Sequence, residues 1–427
     1  MRKSRTKKAV GLLAAVVAAS GVAGCSQGSA TTPGGGAQTA GNAPVTVRYM
    51  NFSSNDDGHE ADLAAIVAAF EADNPGIKIA VETVPYADYA AKLQTALAGG
   101  TEADVFELEY EPFVSYAKAG VLADITGIDT SVYSPSLIQA YQSDGKQFAL
   151  PESFSTVVLF YNQDLFDAAG LDYPTDSWTW ADETKAAEAL TDKDKGVWGD
   201  YQPISYNEFY KTVAQSGGQF LNAEGTATAF NDQAGLAAAE WLTGKSGKTM
   251  PTDADGANSP DFDTNLFISG KLAMWHMGIW RFSTIAEKAP DMNWDIVVEP
   301  GNTQKASAMF SNAVAISAKS QVQDAAQRWL AFYTASQTTI DTRLAKNWEL
   351  PPVADQSKLD AYVAITPPAN RQAVLDSLDA VALAPVVERQ QEMQDIINDE
   401  LAAVAAGRTP AADALANMRT KVDPLLG

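Results

Sequence analysis

VTVRYMNFSSNDDGHEADLAAIVAAFEADNPGIKIAVETV, residues Val45 to Val84, carries two sequence periods side by side. VTVRYM alternates with period two, as a strand does, whereas Leu63, Ile66, Val67 and Phe70 fall at i, i+3, i+4 and i+7, the apolar stripe of a helix. Asn74-Pro75-Gly76 stops that helix, and IKIAVETV starts a second strand. Tyr86, Tyr89, Leu93 and Leu97 then line one face of another helix ended by Gly99-Gly100, and DVFELE supplies a third strand. Strands separated by helices of this length make βαβ units and a mostly parallel sheet, so the fold class expected is α/β.

The pattern continues at wider spacing beyond residue 150. TVVLFYN, KLAMWHM and NWDIVVEP read as strands, ADETKAAEAL and GLAAAEWL as helices, and Met393, Ile397, Leu401 and Val404 form a late helical stripe closed by Gly407 and Pro410. A body running from Val45 to Gly427 exceeds what one core supports, so two lobes are expected.

The other end of the chain gives an address. Arg2, Lys3, Arg5, Lys7 and Lys8 precede an apolar run from Ala9 to Val22, shorter than the roughly 20 residues of a permanent span, and this reads as a secretion signal over residues 1–24. The run ends in GVAGCS, which resembles the lipobox of bacterial lipoproteins and by that resemblance makes Cys25 a lipidated mature N-terminus. Residues 25–44, rich in Gly, Ser, Thr, Ala and Pro, read as a flexible tether. With one cysteine in the chain, no internal disulfide can form. Loss of residues 1–24 would leave 25 basic against 53 acidic residues, a formal charge of −28 in place of −23, the wrong sign for a nucleic-acid binder.

Several stretches recur in a known order. YADYAAKLQTALAGGTEADVFEL, YAKAGVLADIT, ALPESFSTVVLFYNQDLFDAAGL, SWTWADE with a capping box at Thr179 and Asp182, FISGKLAMWHMGIW and AAQRWLAFYTASQ together resemble the extracellular solute-binding proteins of ABC importers, in the carbohydrate-binding, maltose-binding-protein-like group. The resemblance implies a two-lobed periplasmic-binding-protein-like (type II) fold, each lobe a sheet flanked by helices, with the ligand in the cleft and closure about a hinge. Lobe I is expected over 45–153 and 299–320, and lobe II over 154–298 and 321–427. It also implies a monomer that hands its ligand to a membrane permease and ATPase, held outside the cell membrane by the lipid on Cys25, with no cofactor and no metal.

The candidate ligand residues follow from this frame. In FISGKLAMWHMGIW, Ala273 and Trp275 share one strand face and Met274 and His276 the other, and Gly278 frees the chain to bend. By the resemblance Trp280 falls where a maltose-type protein sets an indole on a sugar ring, a broad surface with little entropy to lose. Trp275 is expected in the core, and His276 in a structural role, since His59 is the other histidine of the chain and a metal needs several ligands. Arg281 offers a planar fork for hydroxyls or a solvated charge. Asn55 and Asp56 lie in the loop after the first strand, and Glu109, Tyr110 and Glu111 follow the third, the end at which open α/β sheets bind ligands. Glu111 sits where the family often has an acidic ligand residue. Glu152 and Phe154 flank the first crossing segment, Tyr206 and Asn207 open a second-lobe helix, and Trp348, near LPPV, closes the cleft or packs the hinge.

Rival readings are a polyamine or ferric-ion binder of the same fold, a sugar sensor without transport, and a secreted glycoside hydrolase. The last needs paired acids about 5 to 10 Å apart, and the chain holds neither a G-x-S-x-G elbow nor an H-E-x-x-H helix.

Overall fold

The computed structural model describes residues 44–426, apart from 57, 258, 260 and 347. The expected signal, Cys25 and most of the tether lie outside the described residues. No helix among the described residues is long and apolar enough to cross a membrane.

The opening stretch folds as its periods dictate: strand Val45–Asn51, helix Glu60–Asp73 and strand Ile77–Thr83, the two strands pairing in parallel from Val45 opposite Ile77 to Asn51 opposite Thr83. Strand Val105–Glu109 joins Val45–Asn51 on its other edge, also in parallel. Alternation along these strands feeds two cores. Val47, Tyr49 and Val105 face helix Glu60–Asp73, while Met50, Phe106 and Leu108 face helices Tyr86–Gly99 and Tyr110–Lys118. Gly100, at φ +66°, closes helix Tyr86–Gly99 in the left-handed conformation that glycine adopts without strain.

The expectation of a mostly parallel sheet ends there. Two long strands, Ala149–Asn162 and Ser307–Ile316, run antiparallel to each other and pass from one lobe into the other, so the sheets of both lobes form one hydrogen-bonded path. Ser307–Ile316 pairs antiparallel with Val105–Glu109, and Ala149–Asn162 pairs antiparallel with Met274–Gly278 and Trp294–Val297. A strand returning across the boundary enters the parallel first-lobe sheet head to tail, and local periodicity carries no trace of that direction. All residues of Ala149–Asn162 are buried, and its register shifts between Pro151 and Ser153, a bulge that leaves Glu152 out of the ladder.

In the second lobe, helices Tyr206–Gln215, Gln233–Gly244, Gln390–Ala405 and Ala411–Val422 share a core that includes Phe209, Leu242, Met393, Ile397, Leu401 and Met418. Helix Trp180–Leu190 begins with the expected capping box, Thr179 Oγ1 accepting from the Asp182 amide and Asp182 accepting from the Thr179 amide. The boundary at residue 321 is not where the core divides. Helix Gln323–Ala335 places Trp329, Leu330 and Tyr333 among Val47, Tyr49, Ile66 and Phe70, so this helix packs in the first-lobe core, whereas Ile340 and Leu344 of the next helix already join the core of Phe154, Phe160 and Leu350.

Candidate functional site

The two lobes meet along the edge of Ser307–Ile316. Glu109, the last residue of its strand, stands opposite Asn312, and the short strand Val381–Ala382 takes up the same edge at Ser307 and Ala308. Between them Met309 and Ser311 are buried while Phe310 and Asn312 stay half-buried, as period two requires. First-lobe residues therefore approach from one end of this edge and second-lobe residues from the other.

On the first-lobe side Glu109 is half-buried and accepts a 3.0 Å hydrogen bond from the Tyr86 hydroxyl. Burial raises its pKa, Tyr86 opposes the rise, and the neighbouring Glu349 adds to it. Glu349 accepts from Ser153 Oγ at 2.5 Å and from Asn312 Nδ2 at 3.4 Å, which sets a second carboxylate beside the crossing strands. Tyr110 packs edge-on against Tyr141 with 6.0 Å between ring centroids. Glu111, one residue further along the same helix, accepts a 2.6 Å bond from Gln394 Nε2, and burial raises its pKa to about 7. Asn55 and Asp56 lie in the helical turn Ser53–Asp56, where the Asn55 amide donates to Glu60 at 3.4 Å.

From the second lobe comes Trp280. Strand Met274–Gly278 ends at Gly278, and the chain turns through Ile279–Arg281 so that the indole folds back over the glycine. A Cβ on Gly278 would lie 1.9 Å from Trp280 Cζ3, so the ring occupies this place only because residue 278 has no side chain. Its other neighbour is Phe310, edge-on at 5.4 Å. A half-exposed indole braced in this way is a prepared flat surface. Gly278→Ala is expected to expel the ring and cost about 1–3 kcal/mol of overpacking; a red shift in tryptophan emission with the fold retained by far-UV circular dichroism checks this. Arg281 is bound to Asp261 at 3.2 Å, so its fork is engaged within its own lobe. Asn207, half-buried, sits in the first turn of helix Tyr206–Gln215 with its Oδ1 buried and without a hydrogen-bond partner.

Four candidates lie in the core instead. Glu152, fully buried, faces Arg343 Nη2 at 3.4 Å because the bulge turns it inward. Phe154 is 3 % exposed and exchanges backbone bonds with Leu350. Tyr206 is 2 % exposed, its hydroxyl donating to Pro385 O at 2.7 Å. Trp348, also 2 % exposed, is sandwiched between His59, stacked at 4.8 Å and 9°, and the Arg343 guanidinium at 4.4 Å, in the core that holds Tyr49 and Trp329. Conversely, the sequence reading passed over Tyr86, Phe310, Asn312, Glu349 and Gln394. Tyr86 shares its helix face with Tyr89, both rings meeting Phe52, but as the first residue of the helix it is 51 % exposed. The other four come from segments far apart in sequence and carry no local signal.

Trp275 is fully buried among Phe160 and Phe267, as expected. His276 is buried too, with Nε2 3.0 Å from Glu183 and Nδ1 2.7 Å from Glu299, and Asp200 and Glu208 lie close by. These donors could hold a metal, but Lys245 Nζ stands 2.7 Å from Glu183 and 2.6 Å from Asp200, and Lys211 Nζ 2.6 Å from Glu208 and 2.5 Å from Glu299. Two ammonium groups thus stand among these carboxylates.

The chain resembles known proteins along most of its length. It aligns with a solved structure, the ABC substrate-binding protein Lmo0181 from Listeria monocytogenes in complex with cycloalternan, at 40% identity and a TM-score of 0.83, covering 89% of this chain and 98% of that one. A putative binding protein of Brucella abortus is 25% identical over 84% of this chain and 88% of its own length. The diacetylchitobiose binding protein DasA of Streptomyces coelicolor is 28% identical over 67% of this chain and 68% of its own length. Residues 55–340 match the family of bacterial extracellular solute-binding proteins, and with two lobes joined by crossing strands and a half-exposed indole at their junction, the chain belongs to that family.

Proposed function

We propose that this protein captures an oligosaccharide outside the cell for an ABC importer, and that the ligand is a compact gluco-oligosaccharide of the cycloalternan kind. The observation that carries the reading is the 40% identity, over nearly all of both chains, to a protein seen with cycloalternan. The junction of the lobes suits it. Trp280, braced by Phe310, presents an apolar plane to the axial hydrogens of a pyranose, while Glu109, Glu349 and Asn312 accept or donate at hydroxyls around its rim. Asn207, with a buried oxygen lacking a partner, is a further acceptor from the second lobe. In this reading the lobes close about the crossing strands, Cys25 carries the lipid that holds the protein at the membrane, residues 26–44 form the tether, and the protein works as a monomer that delivers sugar to a permease without hydrolysing it.

A thermal-shift panel of cycloalternan, linear maltooligosaccharides, chitobiose, spermidine and ferric citrate tests this. A ligand present at 100 times its dissociation constant adds about 2.7 kcal/mol of stability. Cycloalternan is expected to raise the midpoint, independently of salt because the ligand is neutral, and Trp280→Ala to weaken binding roughly tenfold or more. A rise with spermidine alone, fading as salt is added, would put a polyamine in the site.

A further inference from the structure

The hydrogen bond between Glu111 and Gln394 joins residues 283 apart in sequence and, more to the point, joins the two lobes. Glu111 belongs to helix Tyr110–Lys118, whose Phe113 packs in the first-lobe core with Met50 and Phe106. Gln394 belongs to helix Gln390–Ala405, whose Met393 and Ile397 pack in the second-lobe core with Tyr206 and Phe209. Moving the lobes apart would break this contact. We infer that Glu111 and Gln394 form a proton-sensitive latch, such that bringing the lobes together takes up a proton on Glu111 and ligand capture weakens as the medium turns alkaline. This rests on the sugar-capture reading for its physiological meaning, though the latch itself does not require a sugar.

The surroundings of Glu111 decide the sign. From its own element and the strand before it come Tyr110 and the carboxylate of Glu109; from helix Gln390–Ala405 come the amides of Gln390 and Gln394; from helix Tyr206–Gln215 come the phenols of Tyr206 and Tyr210. Among the described residues no lysine, arginine or histidine acts on it. With the lobes together the carboxylate is largely out of water and no cation is supplied to it, and burial raises its pKa from 4.5 to about 7, against the pull of the two amides and with the help of Glu109; the latch requires that part of this burial come from the second lobe. With the lobes apart the carboxyl is hydrated and titrates in the ordinary range. Below both values the group is protonated in both states and closure carries no penalty. As pH rises from 4.5 towards 7 the open form ionises first, so closure must take up a proton and becomes progressively less favourable. Above 7 both forms are ionised and the penalty is constant.

Two measurements on the purified protein test this. In the first, the dissociation constant for cycloalternan is followed by calorimetry at pH 5, 6.5 and 8. Wild type is expected to bind some tens of times more weakly at pH 8 than at pH 5, Glu111→Gln to show no such fall, and Gln394→Lys, which sets an ammonium against the carboxylate, to lose the fall as well. The same fall in Glu111→Gln as in wild type would overturn the proposal. In the second, the radius of gyration without sugar is taken by small-angle scattering at pH 5 and pH 8. A more compact wild type at pH 5, with Glu111→Gln equally compact at both, supports the latch even if cycloalternan proves not to bind, which would count against the sugar reading alone. Equal radii for wild type at the two pH values would overturn the latch whatever the protein binds.

Discussion

Arg343→Met is expected to destabilise the protein by about 3–5 kcal/mol, the cost of leaving a buried charge without its partner. Arg343 is fully buried, with Nη2 3.4 Å from Glu152 Oε1 and 3.2 Å from the Tyr333 hydroxyl, and its guanidinium lies on the ring of Trp348. Behind Glu152 stands Glu107, which accepts the Phe52 and Ser53 amides at 2.8 and 3.1 Å. Burial, and then the proximity of Glu152, push the Glu107 carboxyl well above its usual range. Burial also raises Glu152, with Arg343 pulling it back. Without the arginine this carboxyl must fold protonated. A group that binds its proton more tightly folded than unfolded favours folding at low pH and loses that advantage as pH rises through the unfolded value. The deficit of the variant should therefore be largest at neutral pH and shrink below about pH 4.5. Chemical denaturation of wild type, Arg343→Met, Glu152→Gln and the double variant at pH 4.5 and 7 checks this. The double variant should recover much of the loss, and a deficit unchanged by the second substitution or by pH would mean that lost packing, not stranded charge, is the cause.

The second large effect is expected at His276. Its two nitrogens close a ring of buried polar bonds: Glu183 to Lys245 at 2.7 Å, Lys245 to Gln202 at 2.9 Å, Gln202 to Glu208 at 2.6 Å, then Lys211, Glu299 and back to His276. Burial by itself would lower the histidine's pKa, but Glu183 and Glu299 outweigh it and raise the value from 6.5 to about 9. Because the folded value is raised, the stabilisation is fully present below pH 6.5 and is lost as pH climbs from 6.5 through 9, a change of roughly 3 kcal/mol. His276→Gln keeps neutral hydrogen bonding but removes the charge, leaving Glu183, Asp200, Glu208 and Glu299 with two ammonium groups to share. It should cost about 3 kcal/mol or more at pH 6 and much less at pH 10, read from denaturation midpoints at the two pH values. A deficit equal at both would show that the imidazole is neutral in the folded protein.

How much of this was legible in the chain depends on the range of the interaction. The strand and helix of residues 45–84, the capping box at Thr179 and the turn after Gly99 were readable because each is settled by neighbours within a few residues. The burial of Trp275 was readable from its place in the middle of a strand. Tyr86 shares the face of Tyr89 but stands exposed, because the end of a helix overhangs the core that its stripe covers. Glu152 and Phe154 lie within the crossing strand, all of which is buried, and the register shift at Pro151 that takes Glu152 out of the ladder was invisible until the partner strand was known.

By itself the sequence determined the α/β class, the order of elements and the loop that carries Trp280, because hydrophobic period, caps and glycine act locally. Only the tertiary structure decided that Ser307–Ile316 runs antiparallel to the first-lobe strands, that helix Gln323–Ala335 belongs to the first lobe, and that Glu109, Asn312, Glu349 and Trp280 stand around one edge with Glu111 meeting Gln394 across it. These are pairings between segments far apart in the chain, fixed by which buried surfaces and charges satisfy one another once the strands have crossed, and no local pattern encodes a partner that distant.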